Sequence, residues 1–155
     1  MSNQKRQPLP GSSRDERPNV GILLRVPYQE VVRRVADGVS EAGFDDLRPA
    51  HAIVFQHIDA DGSRLTTLAD RAQMTKQSMG YLVDYLEQHG YLERRADPSD
   101  RRAALISLTE QGWAVVRASL AVIAKLEEEW TRELGDTETN QLRDTLGKLG
   151  QVGGG

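Results

Sequence analysis

The chain has 155 residues, 38% of them hydrophobic and 28% charged, with a net charge of −3; this suits one domain large enough to bury a core. It holds no cysteine, which excludes disulfides, thiolate metal sites and peroxide sensing through a thiolate. No apolar run approaches the roughly 18 residues of a spanning helix and the N-terminus lacks the apolar block of a signal peptide, so the expected location is the cytoplasm, away from any membrane.

Residues 1–18 are rich in Pro, Ser, Gly and charge and predict a disordered tail. From Val20, Leu24, Tyr28, Val31, Val32, Val35 and Val39 recur at helical spacing, which predicts a first helix ending near Gly43, with Pro27 starting or kinking it. "RPAHAIVFQHI" predicts a short, largely buried second helix and "DADGSR" the loop after it. In "RLTTLADRAQMTKQSMGYLVDYLEQHGYL" a short helix at about Thr67–Ala72 breaks at Gln73 and Met74, and a second helix opens at Thr75, a good N-cap residue. Met79, Leu82, Val83 and Leu86 then face a core, while Gln77, Tyr81 and Asp84 lie opposite. Two helices on a short turn, the second with a polar N-terminal half, have the pattern of a helix-turn-helix.

"YLERR", the polar turn "ADPSD" and "RRAALISL" follow as a hairpin, with Ala104, Ile106 and Leu108 alternating along the return strand. Thr109 caps a long helix carrying Val116, Leu120, Ile123, Trp130 and Leu134, and a last helix from about Thr137 carries Leu142, Leu146 and Leu149. Residues 64–102 hold seven basic and six acidic side chains, against eight and nine before them and five and eight after them. The segment with the hairpin is therefore the one part that is net positive. That excess is small, and the placement of charge on one face matters more than the sum.

The run "LADRAQMTKQSMGYLVDYLEQHGYLERRADPSDRRAALISLTEQG" resembles the winged helix-turn-helix of the MarR (multiple antibiotic resistance regulator) family over residues 65–112. The resemblance implies a mainly α fold: a winged helix-turn-helix at about 47–112 with a two- to three-stranded β-wing, and dimerisation helices at about 20–43 and 110–150, in a single domain over 19–150. It implies a homodimeric bacterial or archaeal transcription regulator that binds a palindromic double-stranded DNA operator. A repressor released by a small molecule is the default mechanism. Terminal helices with more apolar surface than one wing domain can cover place Leu24, Tyr28, Leu142, Leu146 and Leu149 in or near the dimer interface.

Within that motif the candidate DNA-binding residues fall into three groups. Gln77 and Tyr81 face away from the core near the start of the recognition helix, where side chains reach base edges. Thr75, Lys76 and Ser78 sit beside the helix N-terminus, whose free amides attract phosphate. On the hairpin, Arg101 and Arg102 are suited to the narrow, negative minor groove, with Arg94 and Arg95 as flanking phosphate contacts. By resemblance, Arg102 is the inserted arginine and Asp100 braces it.

An effector pocket of the family's kind would fall near Tyr28, His51, Phe55 and Trp113, a mix suited to a small aromatic or phenolic ligand. His51 and His57, six apart, lie on different sides of a helix and are read as packing or capping residues, so no metal site is assigned. "DADG" at Asp59 lacks the later ligands of a calcium loop. No nucleophile elbow, phosphate loop or carboxylate pair is present, so no catalytic residue and no cofactor is assigned, and the chain is not read as an enzyme. The competing reading is a winged helix used for protein contact, or a sensor without specific DNA binding.

Overall fold

Asn19 starts the first helix by accepting the Ile22 N–H on its side chain at 3.0 Å, the N-cap device of a short polar residue. The computed structural model describes residues 17–152, so most of the tail expected at 1–18 lies outside the described residues. Helix α1 (Val20–Glu41) runs through Pro27. Pro27 does not start the helix: the cap at Asn19 sets the first turn, and Pro27 lies in the interior, where it withholds one N–H. At the other end Gly43, with φ +98°, lets Gly43 N–H reach Ser40 O and Phe44 N–H reach Val39 O. These two bonds satisfy carbonyls that the helix end would orphan and turn Phe44 inward.

A single 3-10 turn (Pro49–His51) leads into α2 (Ala52–His57). Helix α3 (Leu65–Arg71) and helix α4 (Lys76–Gln88) form the expected helix-turn-helix. Their turn closes by the same device as α1: Gln73 takes φ +52° while Gln73 N–H meets Asp70 O and Met74 N–H meets Ala69 O. A third copy ends α4, where Gly90 has φ +82° and Tyr91 N–H bonds Leu86 O. The rings that two of these ends turn inward, Phe44 and Tyr91, meet edge to face at 6.0 Å. Tyr85 and Tyr91 both donate to Asp46, the first to its carbonyl at 2.8 Å and the second to its carboxylate. In this way the loop after α1 is fastened to the C-terminal end of α4.

Strand β1 (Leu92–Asp97) pairs antiparallel with β2 (Asp100–Leu108), in a register from Leu92 opposite Leu108 to Ala96 opposite Ala104. An isolated bridge between Ser63 and Ile106 adds a third, minimal strand position. The expected alternation on β2 holds only in part. Ile106, Ser107 and Leu108 are all buried and Ala104 is exposed, because the base of the hairpin is covered on both faces while its outer half projects from the body.

Met79, Val83 and Leu86 of α4 meet Leu68, Val54, Tyr91 and Ile106 in the core. Thr109 caps α5 (Glu110–Leu134) by accepting the Gly112 N–H at 3.1 Å. Helix α5 packs along α1, where Arg34 pairs with Glu129 at 2.8 Å. It buries Val115 and Leu126 and leaves Leu120 and Leu134 of the expected stripe exposed. Helix α6 (Asp136–Val152) buries no residue, and Leu142, Leu146 and Leu149 stay open along it. Among the described residues no helix is long and apolar enough to cross a membrane.

Candidate nucleic-acid interface

The N-terminal turn of α4 is capped by Thr75, whose Oγ1 accepts the Ser78 N–H at 3.1 Å, and no acidic residue lies in that first turn. Burial of Met79 and Val83 on the inner side forces Lys76, Gln77, Ser78 and Tyr81 outward, and all four are exposed. Tyr81 is 67% exposed, unusual for an aromatic ring of this size. Its hydroxyl accepts from Gln77 Nε2 at 3.2 Å, so the two side chains expected to read bases form one polar ridge across a single helical turn.

On the wing, Arg101 and Arg102 are exposed, and neither guanidinium has an ion-pair partner among the described residues. Asp100 lies beside Arg102, but its carboxylate accepts the backbone N–H of Arg102 at 3.0 Å. The expected brace therefore acts on the strand and leaves the guanidinium free. Arg95 faces solvent beside Glu93 at 3.2 Å. Arg94 points the other way, onto the outer face of α4, pairing with Asp84 at 2.5 Å and Glu87 at 2.9 Å. Those bonds, the one to Glu87 foremost, raise its already high pKa. An arginine whose Nε and Nη2 are engaged by two carboxylates has its charge compensated locally, and here it clamps the hairpin to α4.

Sequence reasoning missed a second clamp, between Arg64 and the turn of the wing. Asp97, 6% exposed, accepts from Arg64 Nε at 2.7 Å and Nη2 at 2.5 Å. Its other oxygen accepts the N–H and Oγ of Ser99 at 2.8 and 2.7 Å. The Ser99 bonds and then the Arg64 guanidinium hold its carboxyl at about 2, below the ordinary 3.8. The Asp-Pro-Ser turn was the available signal for Asp97 and Ser99, since Asp commonly accepts from the backbone two residues on. Nothing local marked Arg64, 33 positions away.

The pocket expected from aromatic and polar residues is a cavity of about 300 Å³ between α1, α2 and α5. Tyr28, His51 and Phe55 line it, with valines of α1 and Arg48 at its edge. Trp113 does not; it packs against the main core instead, because α5 turns that position toward the winged helix. His51 is buried, accepts the Arg48 N–H on Nδ1 at 3.0 Å and stacks on Tyr85 of α4 at 4.4 Å. It is thus the capping and packing residue that its sequence context suggested. Burial, and after it the nearby Arg48 charge, lower its pKa below 6.5.

Residues 45–103 match the sequence profile of the MarR family. Among curated proteins, the chain is 29% identical to the HTH-type transcriptional regulator YdcH of Bacillus subtilis, over 70% of this chain and 75% of that one. Among solved structures, CouR from Rhodococcus jostii RHA1, crystallised with p-coumaroyl-CoA, is 29% identical with a TM-score of 0.65, covering 84% of this chain and 91% of that one. Apo MarR from E. coli has the same fold, with a TM-score of 0.67 at 22% identity over 86% of this chain and 98% of that one. With the helix-turn-helix, the wing and the two terminal helices in this order, the chain has the fold of the MarR-family transcriptional regulators, and its residues 45–103 match that family.

Proposed function

We propose that the chain binds a palindromic operator as a homodimer and represses transcription until a small aromatic or phenolic effector releases it. The observation that carries the DNA-binding part is the pairing of two exposed features on the winged helix: the Gln77–Tyr81 ridge on α4, and Arg101 and Arg102 on the wing, which have no ion-pair partner among the described residues. A ridge with donors and an aromatic face fits the major groove, and free guanidinium groups fit the narrower minor groove beside it. In this reading Thr75, Lys76, Ser78 and Arg95 contact phosphates around those two anchors. The lobe at about 47–112 holds the DNA and the helices at about 20–43 and 110–150 hold the partner protomer.

The effector part is supported by the 300 Å³ cavity lined by Tyr28, His51 and Phe55, and by the p-coumaroyl-CoA bound to the related CouR. A cavity of this size suits an aromatic ring with a short substituent. Titration of the chain with duplex DNA over a range of salt tests the core of the proposal. A steep fall in affinity with salt is expected, because neutralised phosphates release counterions. Selection from a random duplex pool should return an inverted repeat with half-site centres about 10 base pairs, or a small multiple, apart. Binding that is absent, or indifferent to salt, would overturn it.

A further inference from the structure

The outer half of the wing has almost nothing apolar to rest on. Ile106 and Leu108 anchor its base, but Arg95, Ala96 and Ala104 beyond them are exposed, and an isolated two-stranded tip is marginally ordered in water. Among the described residues, the side-chain bonds that reach the turn at 97–100 from outside the hairpin all come from Arg64. That residue immediately precedes α3. Its Nε and Nη2 hold the Asp97 carboxylate, and Nη2 lies 3.5 Å from Ser99 Oγ and 3.8 Å from Asp100 Oδ2. Asp100 in turn fixes the backbone of Arg102. One guanidinium therefore connects the start of the helix-turn-helix to the strand that carries the wing-tip arginine.

We infer that Arg64 is a positioning residue for DNA binding: it sets the angle of the wing tip against α3 and α4, so that Arg102 and the α4 ridge engage the same duplex, and it does not itself touch DNA. The inference rests on the reading of Arg102 as a DNA contact. The physical reason is that the Asp97 carboxylate is buried and filled on both oxygens, which restricts how the pair can rearrange although the Arg64 side chain itself is 41% exposed. With the wing angle fixed in advance, the tip is not ordered at the expense of binding.

The test uses the full chain and a duplex selected from a random pool by the unaltered protein. Arg64→Gln removes the clamp. Asp97→Asn removes it by another route while keeping an oxygen for the Ser99 N–H, and thermal melting verifies that each variant is folded. Each is expected to weaken binding about tenfold, the size of a coupling between neighbouring groups, with loss of minor-groove protection in a hydroxyl-radical footprint and the major-groove protection retained. In an Arg102→Ala background neither change should weaken binding further, since there is no tip contact left to aim. If Arg64→Gln costs as much in that background, with the salt slope lower by about one more unit, Arg64 is a phosphate contact and the inference is overturned. Unaltered affinity in both clamp variants overturns it too, and in either case the reading of the wing stands. Wild-type affinity in Arg102→Ala alone removes the reading of the wing and, with it, this inference.

Discussion

Gln77 and Arg102 sit on different elements and should fail differently when altered. Gln77→Ala removes a base-edge contact and is expected to cost about 1–3 kcal/mol on the selected operator only. Arg102→Ala removes a charge from a focused negative potential, so it should weaken binding to operator and random duplex alike and lower the salt slope by about one unit. Fluorescence anisotropy with both duplexes at several salt concentrations separates the two. A third residue governs stability instead. Gln73 closes the turn of the helix-turn-helix in the left-handed region, where a side chain costs about 1–2 kcal/mol that glycine does not. Gln73→Gly gives back part of that strain against a larger unfolded-state entropy, and its urea midpoint should be equal to or above that of the parent.

Among the elements, α4 depends on its cap and α5 on a glycine. Thr75→Ala deletes the acceptor for Ser78 N–H and should destabilise the chain by about 1 kcal/mol. Gly112 lies in the first turn of α5 against the Tyr91 carbonyl, and an added Cβ would fall onto that backbone oxygen. Because Tyr91 is held by its own core contacts and by the end of α4, the helix has to move. Gly112→Ala should cost about 1–3 kcal/mol, read as a lower urea midpoint at unchanged slope. The clamp of Arg94 onto Asp84 and Glu87 also belongs to this scale, since it joins β1 to the exposed face of the recognition helix.

At the scale of the whole molecule, α6 buries nothing, and Leu24, Tyr28, Leu142, Leu146 and Leu149 stay exposed on the terminal helices. An apolar surface of this kind, concentrated on the terminal helices, fits a second copy. Sedimentation at micromolar concentration should give a dimer, and Leu146→Glu should shift it toward monomer. Acid should also loosen the fold through His51. Its folded pKa is lowered by burial and by Arg48, so the unfolded chain binds the proton more readily and stability falls as pH drops below about 6.5. The loss in urea midpoint between about pH 7.5 and about pH 5 should shrink in His51→Gln, whose amide oxygen can still accept the Arg48 N–H. Asp97 acts in a separate, lower window: its contribution is present above the ordinary 3.8 and lost as pH falls toward about 2.

The sequence by itself determined the order of elements, the start of α4 at Thr75, the inward Met79, Val83 and Leu86, and the outward Gln77 and Tyr81, because caps and periodicity are local properties of the chain. It also carried the resemblance to the MarR family, since the motif from the helix-turn-helix to "LTEQG" is contiguous. Only the tertiary structure decided which arginines are free. Arg94, Arg95, Arg101 and Arg102 look alike in the sequence, yet Arg94 is ion-paired to two carboxylates of α4 while, among the described residues, Arg101 and Arg102 have no such partner. Only there does Arg64 meet Asp97, and only there does Trp113 turn to the core while Tyr28, His51 and Phe55 surround a cavity. The physical reason is the same in each case: an ion pair or a cavity wall is set by how helices and strands distant in sequence pack together, and no local pattern encodes that distance.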